Sequence, residues 1–198
     1  QFDKKNTYNS AFYNFDGTQS QVPMMTETMN LPYCADEQYE ALELPYGNGS
    51  FSMVVVLPKT NVSVENLVAN MNADTWNTML NRMDTVYNLA VRLPRFKIEY
   101  KKTLNNDLMA LGMTSMFSPV AANLSEINAD EPLYVSFVLQ KTFADVNEEG
   151  TEAAAVTVIE IATTSALNLS FVANRPFLYF IKEKTTGAIL FSGINRKL

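Results

Sequence analysis

The chain has 198 residues, of which 47% are hydrophobic, 11% aromatic and 18% charged, enough for one sizeable core or at most two small ones. Fifteen basic residues against twenty-one acidic ones give a net charge of −6, and no basic run exceeds the pairs Lys4-Lys5 and Lys101-Lys102, which excludes a phosphate-tracking nucleic-acid surface. Histidine is absent and Cys34 is the only cysteine, so a Ser-His-Asp triad, a Cys-His dyad, an imidazole metal site and an intrachain disulfide are all excluded.

In chain order, Leu31-Pro32-Tyr33-Cys34-Ala35 reads as the start of a strand, with Cys34 a small residue there and no base near it to make it reactive. Tyr39 to Tyr46 and Phe51 to Leu57 are β-rich runs joined by Gly47-Asn48-Gly49-Ser50, a hairpin signal, and Pro58 ends the second run. Met53 to Leu57, the longest apolar run near the centre, is far short of the ~20 residues of a transmembrane helix. Val64, Leu67, Val68 and Met71 follow helical spacing behind Ser63, a good N-cap. Trp76, Met79, Leu80 and Met83 repeat that spacing, and both stripes read as core packing.

Leu89, Val91 and Leu93 alternate into a strand that Pro94 interrupts, and Phe96, Ile98 and Tyr100 share a face after it. Thr103 is expected to cap a short helix carrying Leu104, Leu108 and Leu111, with Gly112 stopping it. Leu133, Val135, Phe137 and Leu139 predict another strand, running to Val146. A last hairpin pairs Phe177–Glu183 with Ala188–Ile194 through Lys184-Thr185-Thr186-Gly187. Mostly antiparallel strands with helices in blocks make the fold class α+β. The chain opens at Gln1 with no targeting segment read in it, and Asn-x-Ser/Thr sites at Asn48, Asn61, Asn123 and Asn168 are about what chance gives.

Residues 147–171 do not fit that pattern. After Gly150 there is no Gly, Pro, Lys or Arg until Arg175, although a long connection normally carries turn residues. Thr151, Ala153, Ala155 and Thr157 would share one face of a strand, all of them small, with Glu152 and Glu160 on the other. Two readings fit: an edge strand followed by a linker, or a segment able to leave solvent and slip between existing strands.

The residues here carry a resemblance. Glu148-Glu149-Gly150-Thr151-Glu152-Ala153-Ala154-Ala155 resembles the hinge signature of the serpins, the serine protease inhibitor family. Phe171 to Ile181 around Arg175-Pro176-Phe177, and Thr186-Gly187 to Phe191-Ser192-Gly193, are similar to that family's C-terminal signature. Val22-Pro23-Met24-Met25 and Leu93-Pro94-Arg95-Phe96 also match. The resemblance implies that residues 1–198 are the C-terminal portion of a single serpin domain, with 147–170 as hinge and reactive-centre loop.

It further implies a suicide substrate rather than an enzyme. A serine protease attacks the loop and forms an acyl-enzyme, and the cut loop then inserts into the main sheet; counted from Gly150, the reactive bond is Thr164–Ser165. Glu148 and Arg95 match a gating ion pair at the top of the main sheet, two surface charges by this reading. Gln140 stands at the shutter position, where many members carry histidine, and Asn174-Arg175 replaces the usual Asp-His as a surface change. No cofactor or metal is implied. The expected partners are a serine protease of elastase-like or subtilisin-like specificity, and either the missing N-terminal half or another copy of this chain. The family resemblance places it outside the cell or in the cell envelope. The alternative is a non-inhibitory member acting as carrier, chaperone or storage protein. In this half-chain, residues 151–161 are expected to pair antiparallel with 133–146.

Overall fold

A computed structural model describes residues 1–149 and 169–198, in two compact units. One holds Gln1–Arg95 with Val146–Leu198, the other Phe96–Asp145. The α+β class holds: strands dominate, with three short α-helices among the described residues.

The first unit is built on an eight-stranded sheet. Its strands are β1 (Tyr8–Tyr13), β2 (Gln19–Ala35), β3 (Tyr39–Tyr46), β4 (Phe51–Pro58), β5 (Asp84–Pro94), β8 (Ser170–Val172), β9 (Phe177–Glu183) and β10 (Ile189–Asn195). The spatial order is β10-β9-β4-β3-β2-β5-β8, with β1 paired to β2. Among the described residues of this sheet, β5 and β8 form the one parallel pair. The β3–β4 hairpin turns where its glycines allow it: Gly47 and Gly49 take positive φ of 47° and 85°. Tyr46 then faces Phe51, and the register runs back to Tyr39 opposite Pro58.

Strands β1 and β2 carry no clean alternation in sequence, and β2 contains two prolines. Both sit at ends of the β2–β5 ladder: Pro32 pairs with Thr85 near the start of β5, and Pro23 lies just beyond Met24, the partner of Pro94. A residue's N–H and C=O leave an antiparallel strand on the same side. The Pro23 carbonyl accepts from Arg95 N–H at 2.8 Å, and the reciprocal donation that proline cannot make falls where β5 has already ended at Pro94. Cys34 is the penultimate residue of β2, not the start of a strand; it is buried, and its Sγ lies 3.6 Å from the Met79 carbonyl.

Two helices cover one face of this sheet. In α1 (Val64–Asn70) Ser63 Oγ accepts from Asn66 N–H at 3.1 Å; in α2 (Ala73–Asn81) Asn72 and Thr75 form a reciprocal capping box. Val64, Leu67, Trp76 and Met79 pack with Cys34, Ala41, Val54, Val56 and Leu178 in one buried cluster, and Trp76 lies 4.7 Å from Phe180 between ring centroids. The periodic stripes are thus core, although Val68 is exposed.

The second unit contains β6 (Phe96–Thr103) paired with β7 (Leu139–Val146), and α3 (Asn105–Ala110). Two expectations are corrected here. Leu104, not Thr103, occupies the cap position of α3 and makes no side-chain cap bond. The strand begins at Leu139, not Leu133. Backbone groups of 133–138 are taken up elsewhere: Val135 N–H donates to Met116 O at 2.9 Å, and Leu104 N–H to Val138 O at 2.8 Å. Asn105 donates its amide N–H to Ser136 O and accepts from Val138 N–H, at 3.0 and 2.9 Å. Gly112, at φ 98°, does stop the helix.

Candidate functional site

The site lies at the entrance to the segment that sequence singles out. β5 ends at Pro94, and Arg95 follows with its N–H held by the Pro23 carbonyl. After β7 the chain turns through Asn147–Glu149, where the Asn147 side-chain oxygen accepts from Glu149 N–H at 3.0 Å. That turn sets the Glu148 carboxylate against the Arg95 guanidinium. Arg95 Nε approaches both carboxylate oxygens, at 2.9 and 2.7 Å, and its Nη2 donates to Oε1 at 2.6 Å. A forked arginine on a carboxylate is a strong, directional pairing.

Glu148 is not the surface charge expected from sequence: it is only 2% exposed, while the Arg95 side chain is 41% exposed. Burial alone would raise the Glu148 carboxyl, but the hydrogen bonds from Arg95 and from the Thr7 hydroxyl outweigh it and lower the carboxyl to about 2. The same pairing raises Arg95. The carboxylate is therefore charged, buried and held from two sides.

The residues before β1 hold the other side of this turn. Thr7 Oγ1 donates to Glu148, Lys4 pairs with Glu149, and Gln1 Nε2 donates to the Glu149 carbonyl at 3.1 Å. Sequence reading missed all three residues, and no local signal could have found them: Thr7 is 141 positions from Glu148.

Of the residues singled out from sequence, Glu148 and Arg95 are brought together, and Glu149 lies beside them, exposed. Gln140 is exposed on β7. Gly150, Thr151, Glu152, Ala153, Ala154 and Ala155, the Thr164–Ser165 bond, and the expected pairing of 151–161 lie outside the described residues. Arg175 is corrected: it is half-buried, donating Nε and Nη2 to the Pro58 carbonyl at 2.9 and 2.7 Å, with Glu40 3.6 Å away. Among the described residues no cluster of three or more Cys, Asp or Glu could hold a metal, and no helix is long and apolar enough to cross a membrane.

The family model described as serpin (serine protease inhibitor) matches residues 1–196. Serpin B11 of Homo sapiens is 38% identical over 97% of this chain and 50% of its own length. Intracellular coagulation inhibitor 2 of Tachypleus tridentatus is 38% identical over 100% of this chain and 49% of its own. Among solved structures, the native thermophilic serpin tengpin superposes with a TM-score of 0.83 at 30% identity, covering 100% of this chain and 51% of that one. Native protease nexin-1 with heparin gives 0.86 at 32% identity, covering 100% and 53%. The chain thus spans about half the length of the relatives it matches.

Proposed function

The chain belongs to the serpin family, and from that premise we propose that it is the C-terminal portion of an irreversible, suicide-type inhibitor of serine proteases. The observation that carries this reading is the Arg95–Glu148 pair, which anchors the chain two residues before Gly150 and the run of small residues Thr151 to Ala155. A segment that enters a sheet after cleavage needs a fixed pivot and side chains small enough to be buried; the described pivot and the sequence after it supply both. The pair works as a gate: a buried carboxylate that must stay partnered holds the pivot closed until the loop is cut.

The target we propose is an elastase-like or subtilisin-like serine protease. Ala162, Thr163, Thr164, Ser165 and Ala166 suit a shallow primary pocket, and no Lys or Arg lies between Lys141 and Arg175 to serve a trypsin-like one. The compartment we propose is extracellular or cell-envelope, although the Tachypleus relative is named an intracellular inhibitor. The small hinge residues favour inhibition over a carrier, chaperone or storage role. In the longer protein, Thr151→Arg places a charge that must be buried on insertion, at several kcal/mol if unpaired. Protease should still cleave this variant but escape. An unchanged stoichiometry of trapping would refute insertion.

A further inference from the structure

The hinge entrance is held by two ion pairs of opposite character. Arg95 grips the buried Glu148, whereas Lys4 and Glu149 meet in solvent, with side chains 61% and 66% exposed. Lys4 is presented by a built element. The Asp3 carboxylate accepts from Lys5 N–H at 2.9 Å and closes the 3-10 turn Lys4–Asn6, while Asp3 N–H donates to the Glu27 carboxylate on β2 at 3.2 Å. Tyr8 then enters the ladder opposite Met24. The turn is therefore tied to the sheet on both sides before Lys4 reaches Glu149.

We propose that Lys4 is a positioning residue for the hinge, its pair with Glu149 forming a second, salt-sensitive latch that holds Glu149 where the chain leaves for Gly150. This rests on the inhibitory reading of the hinge. The Glu148 carboxylate is desolvated, so its pair responds more weakly to ionic strength; the Glu149 pair is exposed on both sides and is screened once the Debye length falls to a few ångströms. An exposed pair contributes ~0–1 kcal/mol, up to about a fivefold change in an opening equilibrium. The latch tunes how readily the pivot loosens and leaves the buried pair intact.

Hydrogen exchange at the Glu148 and Glu149 amides of the longer protein tests this without any protease. In about 0.02 M NaCl, Lys4→Ala should exchange about two- to fivefold faster than wild type, and in about 0.5 M NaCl the two should coincide. Lys4→Arg should behave as wild type, and the reversed pair Lys4→Glu with Glu149→Lys should recover the protection that Lys4→Glu alone loses. Equal exchange at low salt, or a difference that salt does not remove, would overturn the latch. A protein that shows the salt-dependent latch yet traps no protease keeps this inference and refutes the inhibitory reading.

Discussion

Replacing Glu148 by Gln keeps the shape of the side chain and removes its charge. The folded carboxyl titrates at about 2 instead of its ordinary 4.5. At 1.36 kcal/mol per tenfold change in proton affinity, that is about 3 kcal/mol as an upper bound. Arg95 is 41% exposed, so solvent screening reduces the pair to about 1–2 kcal/mol. A carboxyl whose folded value is depressed contributes fully above its unfolded value, and the contribution is lost as pH falls from about 4.5 toward about 2. Urea unfolding of the longer protein at neutral pH should show Glu148→Gln less stable by about that amount. Between pH 5 and pH 2 the wild type should lose its advantage, and the two curves should converge. Other carboxylates such as Asp16 and Glu183 also titrate low, but they are common to both proteins and cancel in the difference. Equal stability at neutral pH, or a gap that persists unchanged at pH 2, would refute the assignment of a charged, buried pivot.

Gly193 faces Tyr179 across the β9–β10 ladder, and a Cβ there would lie 2.5 Å from the ring of that buried tyrosine, so Gly193→Ala should destabilise by about 1–3 kcal/mol, read as a lower thermal midpoint. Trp76→Ala removes the buried ring packed on Phe180 and should cost about 3–5 kcal/mol, followed by circular dichroism because Trp76 is the only tryptophan. Arg175→Ala deprives the Pro58 carbonyl of two donors and should cost about 1–2 kcal/mol in urea unfolding.

Local chemistry made the hairpins and helices legible. Gly47-Asn48-Gly49-Ser50 dictates a turn between two apolar runs, and Ser63 ahead of Val64 and Leu67 announces a helix start. What sequence hid was decided by distant partners. β2 mixes polar and apolar residues without clean alternation and carries prolines, and it is a strand because β1, β3 and β5 supply its ladders. β8 is three residues long and exists through its parallel pairing with β5. Leu133 to Phe137 alternate as a strand would, yet Asn105 and Met116 take backbone bonds there that a neighbouring strand would need. At the site, Arg95 and Glu148 could be named together only through the family resemblance. Thr7 and Lys4, 141 and 145 positions from their partners, became visible only in the folded chain.

Incubating the longer protein with elastase-like, subtilisin-like and trypsin-like proteases and resolving the products under denaturing conditions tests the inhibitory mechanism most directly. An SDS-stable covalent complex with an elastase-like or subtilisin-like enzyme, with cleavage at Thr164–Ser165, is the expected result, and trypsin should not be rapidly trapped. Turnover of the loop by every protease with no covalent complex, or rapid trapping of trypsin by a cut within residues 150–170, would contradict it.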